Sequence, residues 1–129
     1  MSIGINVCVA ETETEAAKLR ATVELYYQRL YRGRFSADPL PEPEQALAEL
    51  GAIPEPVSVK PGSWPARISG SPEQVADMLR IIAEDVRADE VVIQDQIARH
   101  EDRVRSYELL ASVPGLMVHA PVREVVADD

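Results

Sequence analysis

Hydrophobic and polar positions alternate along the start of the chain. The large branched residues fall on one face of this pattern and the small residues on the other: Ile3, Ile5, Val7 and Val9 against Gly4, Asn6, Cys8 and Ala10. A period of two predicts a β-strand. Because neither face is strongly polar, we expect the strand to be covered on both sides, which is typical of parallel sheets.

The next segment changes to a helical period. Thr12 and Glu15 form a T-x-x-E capping box, and acidic residues cluster where the helix dipole is positive. Apolar residues then recur at spacings of three and four, and Gly33 is the expected stop. The predicted buried stripe consists of Ala16, Leu19, Val23, Tyr26, Tyr27 and Leu30.

The middle of the chain is rich in proline. Eight of the ten prolines lie between Pro39 and Pro72, which predicts mostly connecting structure. A short helix is expected from Glu42 to Gly51. The segment 53–65 is too proline-rich for a central strand. Trp64 within it is interpreted as a hydrophobic plug, with contact to a substrate or partner as the alternative.

A sharply defined helix start follows. Ala66 to Ser69 predicts a short strand, and Gly70 allows the tight turn after it. Ser71 is the expected N-cap, with proline next to it and Gln74 completing the capping box. The predicted buried stripe is Val75, Met78, Leu79, Ile82 and Val86. A strand from Glu90 to Gln96 would complete a βαβ unit, which requires a parallel sheet.

The last clear helix is expected from Ala98 to Val113. Its predicted inward residues are Val104, Tyr107, Leu110 and Ala111, and Pro114 and Gly115 end it. We therefore divide the chain into one unit, residues 1–113, and a tail, residues 114–129. Within the tail, an extra strand is conceivable at Leu116–His119 or Val122–Val126.

Composition and charge narrow the function. The 129 residues suffice for one domain with its own core. The net charge of -9 disfavours nucleic acid and anionic membranes as partners. One cysteine and no basic leader predict a cytoplasmic protein. No apolar run is long enough for a membrane span, and the two histidines are not spaced as metal ligands.

Three segments, in order, resemble the carboxyl-terminal part of luciferase-like flavin-dependent monooxygenases. "INVCVAETETEAAKL" is similar to a strand and helix that open the last third of that family. "ISGSPEQVADMLRIIAEDVRADEVVIQDQ" is similar to its next strand, G-S/T-P-E turn, helix and final barrel strand. "RVRSYELLA" resembles its closing helix, where R-x-R-S-Y/F-x-L-L-A is common. The resemblance covers Ile3 to Val113.

The resemblance implies a partial (β/α) barrel with parallel strands and crossover helices. It also implies FMN or a deazaflavin as cofactor and a small organic molecule as substrate. A closed barrel needs about 250 residues, so this chain would supply only the last strands. Exposed strand edges then predict a partner, either a second copy of the chain or an amino-terminal half-barrel chain. The small face of the first strand would line the barrel-like interior or that partner.

The candidate site residues lie at the carboxyl ends of the predicted strands, where such barrels carry their chemistry. These ends are 10–12, 69–71 and 94–96, and the predicted cofactor contacts are Ser69, Gly70, Ser71 and Gln94. The free N–H groups at the helix start can hold a phosphate. The alternative is that Ser71 only caps its own helix, since Glu73 in the first turn would repel a phosphate.

Other polar residues have weaker functional interpretations. Asp95 is a candidate general base, with a solvated or supporting acid as the alternative. Cys8 is interpreted as a small buried hydrophobic residue, and His100 as a surface imidazole.

Two functions therefore remain open. The first is the carboxyl-terminal part of a luciferase-like flavin-dependent oxidoreductase or monooxygenase. The second is a non-catalytic homo-oligomeric α/β unit for binding or assembly, derived from that family. Flavin binding by the purified chain discriminates between them.

Overall fold

A computed structural model describes residues 2–33 and 39–115. Within them lie three parallel strands and four helices. In chain order the elements are β1 (Ser2–Val9), α1 (Glu13–Tyr31), α2 (Pro43–Leu50), β2 (Arg67–Gly70), α3 (Pro72–Val86), β3 (Glu90–Gln94) and α4 (His100–Ala111).

The sheet has the order β2-β1-β3, so the first strand lies in the centre. Val7 is paired with Ile68 of β2, and Gly4 with Val92 of β3, both in parallel register. This confirms the predicted α/β fold with parallel strands and crossover helices. The order differs from that of a barrel segment, in which strands are neighbours in sequence order. Here the crossover through α3 passes over β1, as in an open doubly wound sheet.

Both faces of β1 are covered by helices of this chain. Ile5, Val7 and Val9 pack against α3 and α4 in the main core. On the opposite face Cys8 is fully buried with Val23 of α1 and Ile97. The prediction that the small face of β1 lines a barrel-like interior or a partner is therefore wrong for the carboxyl-terminal half of the strand, at Cys8. Helix α1 fills that space because small residues let it approach the strand closely.

A buried cation fixes α1 to its surroundings. Arg20 is only 7% exposed, and its guanidinium donates to Ser69 Oγ at 2.8 Å, to the Glu24 carboxylate at 2.9 Å and to the carbonyl of Glu55. On the far side of α1, Ala21 and Leu25 pack against α2. The layers are thus α2, α1, the sheet, and then α3 with α4.

The predicted helices form, but two of the predicted buried faces need correction. On α1, Tyr26 is 37% exposed rather than buried. On α4, Ser106 and Leu110 face inward, whereas Val104 and Tyr107 are exposed and so is Ala111. Ser106 faces inward on α4 because a buried backbone N–H of β1 needs a hydrogen-bond acceptor there. The Val9 amide lies beyond the end of β3 and donates instead to Ser106 Oγ at 2.9 Å.

The loop before β2 closes one end of the core. Trp64 packs against the main core, and its indole N–H donates to Asp85 at 2.8 Å, which confirms the plug interpretation. The possible strands at 116–119 and 122–126 lie outside the described residues. No helix in the described ranges has the length and apolarity needed to cross a membrane.

Candidate functional site

The carboxyl edge of the sheet contains a topological switch point. After β1 the chain passes to α1 on one face of the sheet, and after β3 it passes to α4 on the other face. In open parallel sheets ligands bind in the crevice outside the strand ends at such a point. The general rule therefore places a candidate site next to Val9 and Ala10.

A cleft of about 490 Å³ occupies this position. Its volume lies in the range of small-molecule sites, roughly 300–1,000 Å³. The end of β1 forms its floor, while α1, α2 and the start of α4 form its walls. The lining residues are Val9, Ala10, Glu11, Glu15, Lys18, Leu19, Pro43, Glu44, Leu47, Arg99, Asp102 and Arg105.

The cleft combines an apolar wall with a mixed ring of charges. Leu19, Pro43 and Leu47 supply the apolar wall. Arg105 forms an ion pair with Glu11 at 2.7 Å, and Arg99 pairs with Glu44 at 3.1 Å. Within the described part of the chain, Lys18 is the lining cation for which no ion pair is seen.

The lining of the cleft suits the ring of a flavin better than its phosphate group. A planar aromatic ring suits a wall of leucine and proline side chains. A phosphate group needs several free donors, but both arginines of the cleft already bind carboxylates, and carboxylates outnumber cations in the lining. The cleft therefore fits the ring of a flavin or a small organic molecule and lacks a phosphate site of its own.

The structure uses the predicted cofactor contacts mostly for its own hydrogen bonds. Ser69 is buried, and its hydroxyl accepts from Arg20. Ser71 and Gln74 form the complete predicted capping box, and Pro72 has no N–H to offer. A Cβ on Gly70 would lie 2.9 Å from Gln74 Oε1 and 3.1 Å from Gln74 Cβ, so a larger residue there would displace the Gln74 side chain that closes this cap.

Gln94 lies at the other edge of the sheet. Its exposed side chain covers Gly4, with Nε2 3.5 Å from the position a Cβ would take there. Because β1 separates β2 from β3, Gln94 is more than two strand spacings, or more than roughly 10 Å, from the segment 69–71. None of the four predicted contacts lines the cleft.

Asp95 is a fixed hydrogen-bond acceptor directly after β3. Its side chain is 8% exposed; Oδ1 accepts from Arg103 at 3.0 Å and from the Ile97 amide at 3.2 Å. Oδ2 accepts from the Tyr107 hydroxyl at 2.7 Å. Burial and this hydrogen bond raise the pKa of Tyr107. With its oxygens engaged in this way, Asp95 positions α4 beside the cleft rather than acting as a free base.

Two further candidates have the structural roles expected of them. Cys8 is fully buried, and burial, followed by the charge of Asp95, raises the pKa of its thiol to about 12. His100 is exposed at the first turn of α4. The described residues contain no cluster of metal-binding side chains.

The sequence located part of this cleft and missed the rest. Ala10 and Glu11 belong to the strand end 10–12 that was predicted as a site. Arg99, Arg105 and the α2 residues were missed, because only the packing of α2 on α1 and of α4 beside β1 brings them to this edge.

Comparison with known proteins identifies larger relatives. No protein-family model matches the chain. The uncharacterized protein YvbT of Bacillus subtilis (strain 168) is 28% identical over 114 residues, which cover 86% of this chain and 32% of that protein. The crystal structure of apo-MsnO8 matches with a TM-score of 0.70 and 35% identity, covering 85% of this chain and 33% of that one. The chain thus spans about a third of the length of both relatives.

Proposed function

We propose that this chain forms the carboxyl-terminal part of a luciferase-like flavin-dependent oxidoreductase or monooxygenase that acts on a small organic substrate. The observation that carries the proposal is the cleft at the β1 end, with its apolar wall and its position at the switch point. The sequence resemblance supplies the chemistry. The match to about a third of two longer proteins supports the idea of one part of a larger fold.

The role assigned to the chain is to bind and orient. FMN or a deazaflavin, when bound, would supply the hydride or oxygen chemistry. Leu19, Pro43 and Leu47 would contact the flavin ring or the substrate and exclude water from one side of it. The Asp95 hydrogen bonds would hold α4 in place beside that ring.

The phosphate end of the cofactor would be held by a partner. The cleft has no phosphate site of its own, and the capping box uses donors at the start of α3. A second copy of this chain or an amino-terminal half-barrel chain would then supply the missing contacts. We further propose a cytoplasmic setting without nucleic-acid or membrane partners, in keeping with the single cysteine and the net charge of -9.

The proposal is tested by equilibrium dialysis of the purified chain against FMN and riboflavin, with its mass measured by light scattering. The monomeric chain should bind both flavins, with affinities within about threefold of each other, because the cleft itself does not recognise the phosphate. Leu47→Glu should weaken both at least about tenfold by placing a charge on the apolar wall. The matched control is Ala48→Glu, an exposed position on the same helix.

Two results would contradict this account. Absence of binding at about 1 mM FMN, equivalent to less than about 4 kcal/mol, would remove the flavin function from this chain. Equal affinity of wild type and Leu47→Glu would show that flavin binds outside the cleft.

The second candidate is a non-catalytic homo-oligomeric unit for binding or assembly. It is favoured by a specific observation: in the described part of the chain, β3 is an edge strand that no other strand covers. This function requires self-association without flavin binding, so the same dialysis and mass measurement separates the two candidates.

A further inference from the structure

Helix α2 carries most of the apolar wall of the cleft, but it is attached to only one neighbouring helix. Ala46 packs against Leu25 of α1, and of the described elements α2 packs on α1 alone. The start of α2 is tied to the same neighbour, because the Thr22 hydroxyl donates to the Pro41 carbonyl at 2.8 Å. The packing therefore does not fix the distance between α2 and the opposite wall, which α4 forms.

One arginine spans the cleft from that opposite wall. Arg99 directly precedes α4, and its guanidinium donates to the Glu42 carboxylate at 2.5 Å and to the Glu44 carboxylate at 3.1 Å. Both acceptors lie at the start of α2. In the described part of the chain, these hydrogen bonds are what joins the start of α2 to the start of α4. We call these three side chains the arginine bridge.

Arg99 stands at a position where another residue type would favour the helix. It is the N-cap residue of α4, and no side chain caps this helix start. Serine, threonine, aspartate and asparagine are preferred there, because their oxygens accept from the free N–H groups of the first turn. A guanidinium has donors only. Its side chain therefore contributes nothing as a cap and is used across the cleft instead.

We propose that Arg99 is a positioning residue that holds α2 at a fixed distance from α4. The bridge keeps Pro43 and Leu47 close enough to the opposite wall for a flat ring to fill the cleft. Without it, α2 tilts away on α1 and the cleft widens. The effect on ligand binding rests on the flavin site proposed above, whereas the position of α2 does not.

The position of α2 can be measured without any flavin. Spin labels at Ala48→Cys and Ala111→Cys, exposed positions on α2 and α4, report the distance between these helices by double electron–electron resonance. The native Cys8 is fully buried and stays unlabelled. Arg99→Gln should lengthen or broaden the distance distribution by about 2 Å or more, the size of a small helix shift.

The matched control for this measurement is Arg80→Gln. It removes a similarly exposed ion pair, that of Arg80 with Asp77 on α3, and should leave the distance distribution unchanged. An unchanged distribution in Arg99→Gln, or an equal change in both variants, would overturn the proposal.

Charge exchange tests whether Arg99 acts through these two carboxylates. Arg99→Glu should move α2 at least as far as Arg99→Gln does, because three carboxylates then face one another. Adding Glu42→Arg should bring the distance back toward the wild-type value, since opposite charges again face each other across the cleft. A double variant as open as Arg99→Glu alone would contradict the arginine bridge.

Riboflavin binding tests the role in the cleft. Riboflavin is uncharged, so added salt acts on the exposed ion pairs of the protein rather than on the ligand. From about 0.05 to about 0.5 M NaCl, wild type should lose about threefold in affinity. Arg99→Gln should bind about threefold more weakly at low salt and change little as salt is added.

The outcomes separate this role from the flavin function itself. Equal affinity and equal salt dependence of the two proteins would overturn the positioning role. Absence of riboflavin binding by both would remove the flavin function, and the distance measurement alone then decides whether Arg99 holds α2.

Discussion

Cys8 shows how strongly the centre of this protein controls a single side chain. The thiol lies in the middle strand, fully buried between Val23 and Ile97. Burial raises its pKa from the ordinary 9.0 to about 12, because the thiolate cannot be solvated there. At neutral pH the residue is therefore an unreactive hydrophobic group rather than a nucleophile.

The raised pKa of Cys8 predicts a loss of stability at alkaline pH. Above pH 9.0 the unfolded chain releases a thiol proton that the folded chain keeps up to about 12, so the free energy of unfolding falls with rising pH. Between pH 8 and 10 the loss from this group should be about 1 kcal/mol. Urea unfolding of wild type and Cys8→Ala at both pH values measures it.

The comparison between the two proteins isolates the thiol. Cys8→Ala should be less stable at pH 8, because it leaves a small cavity, but its stability should fall less steeply. Parallel pH curves for the two proteins would show that the thiol ionises equally easily in the folded state.

Individual buried polar residues are the part of the core that the sequence did not reveal. Arg20 is not part of the buried stripe predicted for α1, yet it is buried with Ser69 and Glu24 as partners. Ser106 was not expected to face inward, yet it satisfies the Val9 amide. Both depend on partners far away in sequence, which hydrophobic periodicity cannot show.

At the scale of elements, local signals predicted starts and stops well. The capping box at Ser71 forms as expected, and α2 ends at Gly51 with a left-handed φ of 85°. Thr12 caps α1 as expected, but the box is incomplete because the Glu15 carboxylate accepts from the Thr12 hydroxyl. Each of these depends on residues within one turn of each other. The sequence predicts less well which side chains of α1 and α4 are buried, since tertiary contacts determine how each helix is rotated about its axis.

The register of α1 gives a direct test at this scale. Val23 is fully buried against Cys8, whereas Tyr26, which the pattern also placed inside, is 37% exposed. Val23→Asp should abolish cooperative folding, because it buries an unpaired charge. Tyr26→Asp should cost about 1 kcal/mol or less. Thermal unfolding followed by circular dichroism measures both, and similar losses for the two variants would show that the register is wrong.

At the scale of the whole molecule, the class of fold was predictable and the strand order was not. Alternation in β1 and the βαβ pattern from β2 to β3 indicate a parallel α/β sheet. They do not say whether β3 lies beside β2 or beyond β1. That choice depends on which faces α1 and α3 cover, and it decides that the cleft forms at the end of β1 beside the start of α4.

The central claim is that a flavin ring binds at this switch point. The most direct measurement is a map of amide chemical shifts of the ¹⁵N-labelled chain during titration with FMN. The account predicts the largest changes at Ala10, Glu11, Leu47 and Arg99, around the cleft. Largest changes at the start of α3, near Glu73, or no changes at all, would contradict it.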